Sequence, residues 1–173
     1  MHTRNLWLQW IPKKKITLAW RANKGRLPVR AILDNMGVDV PDVNCVVCNN
    51  EIEFVSHVLL NCNWAKKVWQ SLESWWNINL DGCNNIEEIF EWIDKRNETS
   101  LRRRLLYIST IATINIIWDH RNGVCFDKKK MFEDVASLKV KEEVLFWLQS
   151  RSKNISIDRS LWLISPFLAC NNM

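Results

Sequence analysis

Turn-forming residues are scarce in this sequence, with four glycines and four prolines in 173 residues. An all-β chain reverses direction about every 8–12 residues and draws on glycine and proline to do so; the shortage excludes that class and predicts a mainly α fold. Acid is missing from the first 33 positions, which carry eight Lys or Arg; Asp34 is the first carboxylate. Long apolar runs are missing too. The most apolar stretch, Leu105 to Trp118, lies between Arg102-Arg103-Arg104 and Asp119-His120-Arg121. It is too short for a bilayer span and predicts a buried central helix. Met1-His2-Thr3-Arg4-Asn5-Leu6-Trp7 has neither a long apolar run nor a small-residue cleavage site. A reducing setting is therefore expected, nuclear or cytoplasmic and not secreted, with no membrane partner.

What the chain does hold is tryptophan, eleven residues against a single tyrosine. Such a load supplies apolar faces to a core or stacking faces to bases. With 47% hydrophobic and 25% charged residues and a net charge of +5, the chain reads as globular, one domain or one domain with a small module. The acid-free basic arm suits a polyanion such as RNA or single-stranded DNA. Lys13, Lys14, Lys15, Arg21, Lys24, Arg26 and Arg30 are its expected phosphate contacts, and Trp7, Trp10 and Trp64 its candidates for stacking on unpaired bases. The plainer reading makes those charges a solvated helix face and the tryptophans core.

Cys45, Cys48, His57 and Cys62 fall in the spacing C-x2-C-x8-H-x4-C. Two cysteines two residues apart can put both sulfurs on one ion, and the loop after them is long enough to return a His and a third Cys. Three thiolates and one imidazole complete a tetrahedral set for a structural Zn²⁺ with no position left for water. Clustered cysteines in a reducing compartment favour metal over disulfide. Cys83, Cys125 and Cys170 have no partner at ligand spacing and read as free thiols.

Residues 1–40 read as a basic helical lead-in, 41–80 as a zinc-binding knuckle and helix, 84–165 as a helical, bundle-like region, and 166–173 as a tail. A helix is expected from Lys14 to Asn23, ended by Gly25, and a second from Pro28 to Met36, stopped by Gly37. Trp64, Val68, Leu72, Trp75 and Trp76 predict an amphipathic helix over Asn63 to Trp76. Asn85 with Glu88 predicts a capping box. Thr99 or Ser100 caps a long helix to about Val124. A last helix over about 131–150 places Met131, Val135, Leu138, Leu145 and Leu148 along one side, and Leu161, Trp162, Leu163 and Phe167 are expected to dock the C-terminal segment on the core.

The order Trp10-Ile11-Pro12-Lys13, Ala19-Trp20-Arg21-Ala22, Arg26-Leu27-Pro28, Gly37-Val38, the CxxC, Glu53-x3-His57-x4-Cys62 and Ala65-x2-Val68-Trp69 resembles the zinc-binding domain at the C-terminal end of plant LINE-type (non-LTR) retrotransposon reverse transcriptases. The likeness covers about residues 6–80 and continues weakly at Ile116-Ile117-Trp118-x2-Arg121-Asn122. It implies that Cys45, Cys48, His57 and Cys62 are zinc ligands. It also implies an accessory region that binds nucleic acid beside a polymerase body. Two other readings stand beside it: a zinc-stabilised structural or protein-interaction domain, and a non-functional fragment of a decayed element, because the family's lead-in before the first Trp is nearly absent.

The residues that a catalytic centre needs are missing. A two-metal polymerase needs paired aspartates; there is no Asp-Asp, and Tyr107 is followed by Ile108, Ser109 and Thr110. No His sits in the H-x-E of a zinc deaminase. Glu87, Glu88, Glu91, Glu142 and Glu143 lie at helical spacing and read as solvated faces. His120 beside Asp119 reads as a helix-end His near a carboxylate rather than an acid–base pair. The chain is expected not to be an enzyme.

Overall fold

The computed structural model describes residues 9–151 and 157–170. Among these residues are eight α-helices, one π-helical turn and no strand. The helices are α1 (Lys13–Asn23), α2 (Arg30–Asn35), α3 (Asn63–Trp76), α4 (Ile86–Lys95), α5 (Ser100–Asp127), α6 (Glu133–Arg151), α7 (Arg159–Ile164) and α8 (Pro166–Cys170), with the π turn at His57–Asn61 before α3. No helix among the described residues is long and apolar enough to cross a membrane.

The centre of the fold is α5. Every residue from Leu105 to Trp118 is buried, because α1, α3, α4, α6 and the π turn all pack on it. A helix apolar on all sides has no solvent face, and this one is surrounded as its sequence requires. Three of its polar side chains turn inward on backbone oxygens: Ser109 donates to the Leu105 carbonyl, Thr113 to that of Ser109, and Asn115 to those of Ile111 and Lys15, whereas Tyr107 donates to Asp94 and the buried Thr110 hydroxyl has no partner among the described residues. Thr99 caps the helix by accepting from the Arg102 N–H, and α5 runs to Asp127, three residues past the expected end.

The expected local signals act as such. α3 has the predicted bounds and buries Val68, Trp69, Leu72, Trp75 and Trp76. Asn85 accepts from the Glu88 N–H, and its Nδ2 donates to the Glu88 carboxylate at 2.7 Å. Gly25, at φ +62°, ends α1 in a left-handed turn that Arg26 closes by donating to the Arg21 carbonyl at 2.8 Å.

The inward face of α6 differs from the expected one. Val135 and Leu138 are exposed, and the buried side is Ala136, Val140, Val144, Leu145, Trp147 and Leu148. The predicted stripe mixed two faces: Ala136 and Trp147, rather than Val135 and Leu138, lie on the buried side of a helix that packs on α3 and α5. The C-terminal segment docks through Trp162, which is fully buried. Its ring meets Trp75 edge-on at 4.8 Å, its carbonyl accepts from Trp75 Nε1 at 2.7 Å, and its own Nε1 donates to the Lys141 carbonyl. A buried indole N–H usually finds a partner, and both of these find backbone oxygens, whereas the N–H of the neighbouring buried Trp76 has none among the described residues.

Candidate metal centre

The cluster is assembled from two short elements. Asn44 and Ile52 form an isolated antiparallel bridge, with Cys45 N–H donating to the Glu51 carbonyl at 2.7 Å and Glu53 N–H to that of Val43 at 2.9 Å. Between the two sides of the bridge the chain turns tightly: Asn49, at φ +56°, donates its N–H to the Cys45 carbonyl. This turn presents Cys45 and Cys48 together. The π turn supplies the other half. Cys62 N–H reaches back five residues to the His57 carbonyl at 2.7 Å, and the wider turn buries His57, Val58, Leu59 and Leu60 in succession.

Cys45, Cys48, His57 and Cys62 each offer one ligand atom, all within 4.8 Å of one another. Cys48 Sγ lies 3.3 Å from His57 Nε2. Tetrahedral coordination at about 2.3 Å to sulfur and about 2.0 Å to nitrogen gives ligand–ligand edges of about 3.5–3.8 Å, so the donor set is of the right size for one ion. Cys45, Cys62 and His57 are buried and Cys48 is half-buried. The hydrogen bond to Cys62 raises the Cys45 thiol and burial adds to it, while the same bond holds the Cys62 thiol below its usual value, aided by the backbone amides of Trp64 and Ala65 at the start of α3. Sulfurs gathered at one point, with the backbone amides of Trp64 and Ala65 aimed at Cys62, suit a divalent cation.

Two glutamates support the ligands. Glu51 Oε2 is 3.1 Å from His57 Nδ1. The carboxylate fixes the tautomer that leaves Nε2 facing the three sulfurs. Glu51→Ala is expected to weaken zinc affinity about 10–100-fold, read by competition with a chromogenic chelator, and an unchanged affinity would remove that role. Glu53 is completely buried. It accepts from the Arg30 N–H at 2.9 Å, the Val46 N–H at 3.2 Å, and Arg121 Nη2 at 2.5 Å and Nε at 3.4 Å. Arg121, also buried, lies over Trp118 at 5.0 Å and donates to Asn122. Glu53 thus ties α2 and the cysteine turn to α5. Glu53 and the Trp118-x2-Arg121-Asn122 group stand in the sequence as separate motifs; nothing in their spacing predicts that they meet, and no sequence signal marks Glu51.

These observations bear on a family. Residues 1–69 match the family described as zinc-binding in reverse transcriptase. The four donors lie inside that segment; the cluster is consistent with a metal ion, and the family's name implies zinc. Arg121 lies outside it, so the zinc-binding segment is fastened to the remainder of this chain by a buried ion pair. No match was found among curated proteins or among solved structures.

The expected nucleic-acid residues separate into two groups. Lys13, Lys14, Arg21, Lys24 and Arg26 are exposed. Lys15 is spent internally, with Asp119 and Glu143 each at 3.2 Å, and those two carboxylates hold its pKa above the usual lysine value against the effect of burial. Arg30 is half-buried and donates to the Asn44 carbonyl at 3.0 Å. Glu143 is accordingly no solvated surface acid; burial raises its carboxyl pKa. Trp64 is unavailable for stacking on a base, since its ring already stacks on His120 at 3.7 Å and its Nε1 donates to the Met131 carbonyl at 2.8 Å. Trp10 is half-buried against the core, and Trp7 lies outside the described residues. His120, held near 4 by burial, is neutral and accepts from the Met131 N–H, while Asp119 turns to Lys15; the two neighbours share no proton. Cys83 and Cys125 are unpaired thiols.

Proposed function

We propose that this chain is a zinc-folded accessory region of a plant LINE-type reverse transcriptase, non-catalytic in itself, that binds nucleic acid through α1. The observation that carries the reading is the state of the basic arm. Lys13, Lys14, Arg21 and Arg26 project to solvent with no carboxylate in ion-pairing distance among the described residues, and Lys24 has only the exposed Glu87 at 3.8 Å. Cations left unpaired on one helix attract phosphate, and releasing the counterions of the nucleic acid drives the association. Of the paired cations, Lys15 holds this helix to Asp119 of α5 and Glu143 of α6, and Arg30, 3.9 Å from Asp42, holds α2 to the metal segment. The zinc therefore shapes a platform and takes no part in bond making.

The test is a salt titration of zinc-loaded protein against a labelled oligouridylate. Affinity is expected to fall steeply between low and physiological salt. Lys13→Gln with Arg21→Gln removes two phosphate contacts, and the slope of log K against log salt is expected to shrink by about 1.4. Binding that ignores salt would overturn the reading. A protein-docking role is the second reading, favoured by the apolar side chains Phe126, Phe132 and Phe146 that stand exposed around α6; it predicts salt-insensitive association with the polymerase body.

A further inference from the structure

The left-handed turn at Gly25 brings an aromatic ring, guanidinium groups and an open cleft to one end of α1. Trp20 is 43% exposed, and it alone among the described tryptophans presents itself so fully to solvent. Lys13, Thr17, Trp20 and Lys24 follow one another at helical spacing and form a single strip. Arg26, returned by the turn, places its guanidinium 5.9 Å from the Trp20 ring centroid, and Arg21 Nε braces it by donating to the Arg26 carbonyl at 3.3 Å. Asn23 stands one turn from Trp20 on the adjoining strip and lines a cleft of about 310 Å³ together with Gly25, Ile32, Phe54, Val55 and Ile86. That volume falls at the small end of ligand pockets. Asn23 Oδ1 is buried and has no hydrogen-bond donor. A large indole kept in water, and a buried carbonyl oxygen kept unpaired, both run against the stability of the free chain.

We infer that Trp20 and this cleft form a recognition site for unpaired nucleobases, an inference that rests on the nucleic-acid reading above and specifies its mode. One base stacks on the Trp20 indole, with the Arg26 guanidinium beside it. A flanking base enters the cleft, whose polar lining is Asn23, Ser56, Asn85 and Glu87. Arg21 and Lys24 meet the phosphates between them. The chemistry selects single strands: in a duplex the base faces are covered by their neighbours, and a ring standing on a helix surface cannot reach them. The choice of nucleic acid over another planar ligand follows from the charge, since the ring is set among cations and a polyanion complements them.

The experiment compares wild type, Trp20→Ala and Trp20→Phe, all zinc-loaded, for binding to oligouridylate, oligothymidylate and an RNA duplex by fluorescence anisotropy. Trp20→Ala is expected to lower affinity for both single strands about tenfold and to leave duplex binding unchanged, and Trp20→Phe to keep most of the affinity. Because Trp20 is exposed, helix content and zinc stoichiometry are expected to stay at wild-type values, which separates stacking from misfolding. If Trp20→Ala binds single strands as well as wild type while the Lys13/Arg21 variant does not, the base site is wrong and the phosphate reading stands. An equal loss on duplex and single strand also overturns the base site. If wild type binds none of the three at low salt, both readings fall.

Discussion

Removing one zinc ligand is expected to dismantle the segment between α2 and α3. Cys48→Ser or His57→Ala leaves three donors around a site whose backbone is one bridge, one tight turn and one π turn. These elements make few regular hydrogen bonds, and the thiol contacts among Cys45, Cys48, His57 and Cys62 are weak beside metal coordination. Metal binding and folding are coupled in such sites. A loss of at least about 4 kcal/mol follows, seen as a fall of roughly 10 °C in the melting temperature, with the loss of one zinc per chain by elemental analysis. α4, α5 and α6 are expected to persist, because most of their shared core lies outside the metal segment. Cys83→Ser, outside the cluster, is the control and should melt like wild type. Lowering the pH is expected to mimic the ligand variants, since protons compete with the ion for three thiolates and an imidazole. An unchanged melt in either ligand variant would count against a structural metal.

Breaking the Glu53–Arg121 pair is the second large effect. Both groups are buried, so removing either partner strands the other charge out of water, a loss of about 3–5 kcal/mol. The two halves are unequal. Arg121→Met leaves a carboxylate that still accepts from the Arg30 and Val46 amides. Glu53→Leu leaves an unpaired guanidinium and orphans both amides as well, each an additional loss of about 1–3 kcal/mol. Glu53→Leu is therefore expected to be the more destabilising variant, and the double variant to recover only part of the loss, because an apolar pair satisfies neither amide. Full recovery in the double variant, measured by urea denaturation, would show that the amides do not matter. Since Val46 sits between Cys45 and Cys48, Glu53→Leu is also expected to weaken zinc binding, whereas Arg121→Met should do so less.

The sequence by itself determined whatever depends on near neighbours. Four ligands of one ion had to lie close along the chain to be gathered by a turn and a short helix, so Cys45, Cys48, His57 and Cys62 were legible from spacing. The capping box at Asn85 and Glu88 and the stripe of α3 rest on contacts three and four residues apart, and the all-round apolarity of Leu105 to Trp118 required a helix with no solvent face. The tertiary structure alone decided which charges face water and which face each other. Lys13 and Lys15 look alike in sequence, but Lys15 meets Asp119, 104 positions away, and Lys13 meets solvent. Trp20 and Trp64 look alike as well, yet one remains exposed and the other is closed against His120. Helical spacing puts a residue on a strip of its own helix, but the choice between core and solvent belongs to the helices that pack against that strip, and these come from distant parts of the chain.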